Sequence, residues 1–183
     1  DILATSVKLL NDNKVCAIFS EKMEYGPRAL GARSIIINSS DRTINKSVNK
    51  RLDRTEFMPF APYVLEEMVD KVFKISKQQK KSLKFMTMTV DVRDEWKEKI
   101  QATVHIDGTA RPQTVNESQN KLYYLILKEF YEVTGVPCLV NTSFNAHEEP
   151  IINTPQEAFE ALINKRVDYI IFDKFIVTNK NEK

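Results

Sequence analysis

Val15-Cys-Ala-Ile-Phe-Ser-Glu-Lys-Met-Glu24-Tyr-Gly26-Pro-Arg28-Ala-Leu-Gly31-Ala-Arg33-Ser34-Ile-Ile-Ile37 is two short apolar runs held apart by a loop with two glycines. Runs of this length and character, bounded by Gly and Pro, read as strands, Val15–Phe19 and Ser34–Asn38. Gly26-Pro27 and Gly31 let the backbone turn tightly or approach a ligand. Arg28 and Arg33 stand five residues apart with Ser34 beside them. Two guanidinium forks and a hydroxyl on such a loop suit a carboxylate or phosphate. The plainer alternative is a surface turn with two solvated arginines.

Working outward, strand-like and helix-like segments alternate. Residues 2–10 have the apolar spacing of an opening helix. Ile44, Val48 and Leu52 mark another, capped by Ser40 or Asp41 and bearing Asn45, Asn49, Lys50 and Arg54. Phe57-Met-Pro-Phe-Ala-Pro62 holds two prolines and reads as an extended connector or edge strand. Leu65, Met68, Val69, Val72 and Phe73 repeat as on an amphipathic helix. Residues 76–84 are lysine-rich and read as a loop. Phe85–Val92 and Ala102–Asp107 alternate like half-buried strands, the latter placing Thr103, His105 and Asp107 on its open face. Leu122 to Val133 is helical and stops near Gly135, and Val136–Val140 is a strand. Thr154-Pro-Gln-Glu157 is a capping box, and Tyr169–Val177 supplies one or two last strands. The class is therefore α/β or α+β with a mostly buried sheet.

The chain has 183 residues, 42% hydrophobic and 28% charged, with a formal net charge of +2. That is an ordinary globular composition and is read as one domain, 1–183. So small a charge gives no expectation of nucleic acid as a partner. Cys16 and Cys138 lie in apolar runs and read as reduced, buried thiols, which fits a cytoplasmic location. No apolar run approaches the length of a membrane span, so no membrane partner is expected. Two histidines and two unclustered cysteines give no zinc-type ligand spacing, so no metal ligands are assigned.

Three further polar clusters carry candidate chemistry. His105-Ile-Asp107-Gly-Thr-Ala-Arg111-Pro-Gln113 packs four polar side-chain types around a glycine turn, where α/β proteins place ligands. Its plainer alternative is an Asp-Gly hairpin. Asn141-Thr-Ser143-Phe-Asn145 leaves a strand, and in extended chain its i, i+2, i+4 side chains share a face. Lys50-Arg51-Leu-Asp53-Arg54 is a charged helix end. No Walker loop, Ser-His-Asp order or close carboxylate pair stands out. These residues suit positioning and electrostatic stabilisation of phosphate-like charge rather than a covalent nucleophile.

Taken in order, Met23–Ser34, Phe57–Pro62, Val104–Val115, Thr134–Pro137 and Asn141–Asn145 resemble the C-terminal domain of the carbamoyltransferase family that includes the nodulation-factor and antibiotic O-carbamoyltransferases. The resemblance runs from about Val15 to Val177. It implies a YrdC-like α/β fold, a twisted mixed sheet with flanking helices. It implies a domain that binds ATP, with Mg2+, and carbamoyl phosphate, and forms carbamoyl adenylate. It further implies an N-terminal ASKHA-type partner domain, holding Fe2+ or a similar metal, where the carbamoyl group passes to an acceptor hydroxyl. On this resemblance Arg28, Arg33, Arg111 and His105 are the catalytic candidates. Lys50, Arg54, Asp107, Asn141, Ser143 and Asn145 are the nucleotide- and phosphate-binding candidates. Better-known members carry Lys-x-Arg-Glu followed by Phe-Arg-Pro-Phe; here Met58 stands at the second arginine, and Lys50 or Arg54 substitutes for the lysine. An RNA- or nucleotide-binding module and a catalytically degenerate docking domain are the alternative functions, and a homodimer is one partner state to be weighed.

Overall fold

The computed structural model describes residues 1–54 and 60–179. Its centre is a seven-stranded mixed sheet in the order β10-β9-β1-β2-β8-β3-β7. These strands are β1 (Cys16–Phe19), β2 (Arg33–Asn38), β3 (Ala61–Leu65), β7 (Gln113–Val115), β8 (Cys138–Ser143), β9 (Tyr169–Ile171) and β10 (Ile176–Thr178). β4 (Phe73–Lys74), β5 (Val90–Val92) and β6 (Thr109–Ala110) make a separate three-stranded sheet. The pairs β1–β9 and β3–β7 are parallel, and the other pairs of the large sheet are antiparallel. Helices are α1 (Ile2–Asn11), α2 (Ile44–Arg51), α3 (Val69–Val72), α4 (Lys77–Lys80), α5 (Asp94–Lys97), α6 (Lys121–Thr134) and α7 (Pro155–Ile163).

The strand period of two builds both cores from one sheet. Ile36 of β2 packs with Val7 and Leu10 of α1 and with Ile126 and Phe130 of α6. Its neighbours Ile35 and Ile37 pack on the other face with Val48 and Leu52 of α2 and with Ala158 and Leu162 of α7. Helices thus cover both faces, and every residue of β2 is buried. α6 ends at Gly135 in the left-handed conformation, and α7 begins with the Thr154–Glu157 capping box, both as the sequence predicts. Cys16 and Cys138 are free and buried. Among the described residues no helix is long and apolar enough to cross a membrane.

Several local expectations are corrected. Residues 65–73 are not one helix: Leu65 ends β3, a 3-10 turn spans Glu66–Met68, α3 is short, and Phe73 opens β4. The lysine-rich stretch is ordered by a capping box, Ser76 with Gln79, at the start of α4. Of Phe85–Val92, the strand is Val90–Val92 alone. Ala102–Asp107 is not a strand. A 3-10 turn spans Gln101–Thr103, Thr103 is buried, and Ile106 is exposed. At the start of α2 the cap position belongs to Thr43, and Asp41 instead accepts from the Thr43 N–H and O–H. β3 is an interior strand rather than an edge. β7 pairs with Tyr63–Leu65 and not with Pro62, so the missing proline N–H withdraws no ladder bond on that side. Phe57, Met58 and Pro59 of the connector lie outside the described residues, as does the departure from the family pattern at Met58.

Candidate functional site

The sheet brings three distant arginines to one cleft. Arg28 comes from the loop between β1 and β2, Arg54 follows α2, and Arg111 lies between β6 and β7. They share the cleft with Asn141, Thr142 and Ser143 at the end of β8 and with Asn145 just beyond it. The space enclosed is about 220 Å³, enough for a phosphate-sized group with part of a larger ligand. One wall is apolar, with Pro27, Phe60 and Met86.

Each arginine is set differently. Asp53, left-handed at φ 54°, turns the chain out of α2, and Arg54 N–H returns to the Asn49 carbonyl at 2.9 Å. The Arg54 guanidinium then lies over Phe60 (5.5 Å to the ring centre) and donates to Thr142 Oγ1 at 3.0 Å. Burial lowers its pKa from the usual arginine value, yet an arginine stays protonated in proteins. Arg28 and Arg111 make no side-chain hydrogen bond or ion pair among the described residues, so their donors are free for a ligand. Ser143 donates to Asn145 Oδ1 at 2.6 Å, and Asn145 Nδ2 donates to the Glu149 carbonyl at 2.7 Å. These bonds fold the chain after β8 into a fixed turn. Met86 and Glu148, both at the cleft, have left-handed backbones at φ 56° and 62°. Such strain in non-glycine residues gathers at functional sites.

In the loop carrying Arg28, the part just after it, Ala29 to Arg33, is pinned by side chains from several elements. Glu24 Oε1 accepts from the N–H groups of Leu30, Ala32 and Arg33 at 2.6, 2.7 and 3.2 Å. Gly31 N–H donates to Ser34 Oγ. The Leu30 carbonyl accepts from Tyr63 Oη, and the Ala29 carbonyl accepts from Gln113 and Asn141. Gly31 has φ 105°, and an added Cβ would meet Asn120 Nδ2 at 2.6 Å. A side chain there is excluded both by backbone conformation and by space.

Four candidates stand apart from this cleft, and a fifth borders it differently than expected. Arg33 is 3% exposed. Its guanidinium donates to the carbonyls of Ser20, Ala32 and Glu21 and stacks on Phe19 at 3.6 Å. It ties the loop down rather than facing a ligand. Lys50 is exposed on α2 and does not line the cleft. His105 and Asp107 line a separate groove with Arg42 and Ile106. Asn141 is 1% exposed, and its Nδ2 is spent on Ala29 and Gln113. Sequence reading missed Thr142, which strict alternation put on the opposite face, and also His147 and Glu148. No group of three or more His, Cys, Asp or Glu suited to a metal is present among the described residues.

A sequence profile of the family described as Carbamoyltransferase C-terminus matches residues 7–179. The chain belongs to this carbamoyltransferase C-terminal family. It is 34% identical to nodulation protein NolO of Bradyrhizobium diazoefficiens, over 98% of this chain and 33% of the relative. It is 32% identical to nodulation protein NolNO of Sinorhizobium fredii, over 98% of this chain and 26% of the relative. The chain therefore spans about a quarter to a third of these relatives. Among solved structures it resembles full-length HypF in a phosphate- and nucleotide-bound form (TM-score 0.67, 22% identity, 98% of this chain and 25% of that one). It also resembles P. abyssi Sua5 in complex with L-threonine (TM-score 0.64, 13% identity, 94% of this chain and 46% of that one). At these identities the likeness speaks to the fold, which for this carbamoyltransferase domain is YrdC-like.

Proposed function

We propose that this domain is the part of an O-carbamoyltransferase that binds ATP and carbamoyl phosphate, hydrolyses the latter to carbamate and phosphate, and forms carbamoyl adenylate when a carbamate oxygen attacks the α-phosphorus of ATP and displaces pyrophosphate. The carbamoyl group then passes to an acceptor hydroxyl in an N-terminal, metal-holding domain of the same enzyme. The observation that carries this reading is the meeting of Arg28, Arg54 and Arg111 from three separate parts of the chain in one cleft. Three cations are costly to bring together without an anion to answer them, and forked guanidiniums match phosphate oxygens. In this reading Arg28 and Arg111 hold phosphate oxygens, since their donors are free. Arg54, braced by Thr142 and Phe60, supplies a fixed charge that offsets the negative charge developing in the transition state. Ser143, Thr142 and Asn145 form the polar wall for the nucleoside. Mg2+ accompanies the nucleotide, and the donor set fits a metal held mainly by phosphates, with Glu148 as the one carboxylate on the cleft wall among the described residues.

The test is calorimetry of the 183-residue chain with ATP-Mg2+, with and without carbamoyl phosphate, followed by isotope exchange between pyrophosphate and ATP. Binding of ATP, and exchange that depends on carbamoyl phosphate, are expected. Absence of nucleotide binding would leave a docking domain as the better description.

A further inference from the structure

The turn from His105 to Thr109 lies outside the arginine cleft, but its hydrogen bonds have a direction. Asp107 Oδ1 accepts from the Thr109 N–H at 3.0 Å and from the Thr109 O–H at 2.7 Å. Those bonds hold the Asp107 carboxyl below its usual range, so it is a carboxylate with no proton to give. Thr109 Oγ1 is then the donor toward Asp107 and has only lone pairs left. His105 Nδ1 lies 3.0 Å from that same oxygen, and it must be the donor there. The chain of three side chains therefore fixes the neutral ring as its Nδ1–H tautomer and leaves the Nε2 lone pair unused. The backbone makes the turn rigid: His105 N–H donates to the Thr109 carbonyl at 2.8 Å and Gly108 N–H to the His105 carbonyl at 3.0 Å.

His105 borders a groove of about 430 Å³ whose wall does not include Thr109. His105 Nε2 makes no hydrogen bond among the described residues. The Arg42 side chain stands on the same groove and likewise has no hydrogen bond or ion pair among them. Asn45, Ala102, Val104, Ile106 and Asp107 complete the lining, and the Asp107 carboxylate is already engaged by Thr109. Asn45, itself part of the lining, donates to the Ala102 carbonyl at 2.7 Å. Ile106 is 94% exposed, so a large apolar side chain stands in water beside an unanswered cation and an unanswered acceptor. Ligand sites have this composition: apolar walls with a few fixed polar groups.

We propose that this groove is a second binding site, for a small organic anion that also carries a hydroxyl. The anionic group pairs with Arg42, the hydroxyl donates to His105 Nε2, and the aliphatic body covers Val104 and Ile106. The site is independent of the arginine cleft and of the function proposed for it.

The test uses the full chain with 15N-labelled histidine. There are two histidines, and His147 lines the other cleft, so it serves as an internal control. Two-bond 1H–15N correlation spectra report the tautomer directly, and the Nδ1–H form is expected for His105. The probes are 2-, 3- and 4-hydroxybutyrate, with butyrate lacking the hydroxyl and 1-butanol lacking the charge. At least one hydroxybutyrate should shift His105 saturably and bind about tenfold tighter than butyrate or butanol, the worth of one hydrogen bond or ion pair in a desolvated site. Arg42→Ala should abolish the preference for the anions. Thr109→Val, which unlocks the tautomer, should abolish the preference for the hydroxyl. An Nε2–H tautomer in the wild-type chain, equal affinity for all probes, saturation at His147 instead, or no saturable shift with any hydroxybutyrate would each overturn the proposal.

Discussion

The Asn141 amide on β8 reaches over β3 to the Gln113 amide on β7 at 2.6 Å, and both amides donate to the same carbonyl, that of Ala29. Strand register puts these groups on one face. Asn141 pairs with Ala61, and Tyr63, two residues on, pairs with Gln113. Three strands of the sheet thus hold the backbone beside Arg28. Gln113→Ala removes one donor to Ala29 and the acceptor for Asn141, both fully buried. A loss of about 2 kcal/mol in folding stability is expected. Urea denaturation gives that number. Hydrogen exchange should quicken in residues 26–31 more than elsewhere.

Arg111→Ala separates binding from folding. Its side chain has no partner among the described residues, so the thermal midpoint should move by the equivalent of less than about 0.5 kcal/mol. Loss of one charge-assisted contact should weaken ATP or carbamoyl phosphate by roughly 1.5–3 kcal/mol, about ten- to a hundredfold. Calorimetry of both proteins decides it; unchanged affinity would put Arg111 outside the site.

Arg33→Ala should do the reverse. The guanidinium is buried against three carbonyls and Phe19, so its removal takes the side-chain donor from the Ser20 and Glu21 carbonyls and leaves a hole beside the ring, while the Ala32 carbonyl keeps the Ser20 N–H. A cost of about 3 kcal/mol is expected. Arg33→Lys should recover little of it, because one ammonium cannot span the same carbonyls while stacking on the ring.

The turn at the cleft mouth is tied to the end of α7 by Arg166, which donates to both oxygens of Glu149 at 2.7 and 3.0 Å. Those bonds depress the Glu149 pKa. A depressed carboxyl pKa stabilises the fold above the unfolded value, near 4.3, and the gain is lost as pH falls through the folded value. Stability measured from pH 7 to pH 3 should therefore drop on the acid side, and Glu149→Gln should remove part of that drop. The pair is partly exposed, so the difference should stay below about 1 kcal/mol.

Legibility followed the range of the forces involved. β1, β2, α6 and α7 were readable because apolar period and caps are local signals, and Gly31 and Gly135 have the conformations glycine allows. Leu65 to Phe73 misled because Leu65, Met68, Val69, Val72 and Phe73 are each buried whether they sit in a strand, a 3-10 turn or a helix. Burial periodicity cannot separate such short pieces. At Ala102–Asp107 the alternation was accidental: Thr103 Oγ1 bonds the Ile100 carbonyl, a turn contact invisible to a strand pattern. Within the site, Arg28 and Arg111 stood out by their glycine-marked loops. Arg33 looked identical in sequence, and only the carbonyls of Ser20 and Glu21, closing on it in three dimensions, give it a different part.

The position of β2 has a consequence for synthesis. This strand, with its Ile35-Ile-Ile37 run, meets β1 almost at once, but its other neighbour is β8, and Asn38 waits for Leu139. At roughly 5–20 residues per second, the ribosome needs about 5–20 s to supply that partner. For this interval a strand that is fully buried in the finished sheet is a nascent edge with open N–H and C=O groups, the kind of edge that recruits other chains. Holding this segment until Leu139 emerges protects it from such pairing, a demand that the stability of the finished sheet does not meet.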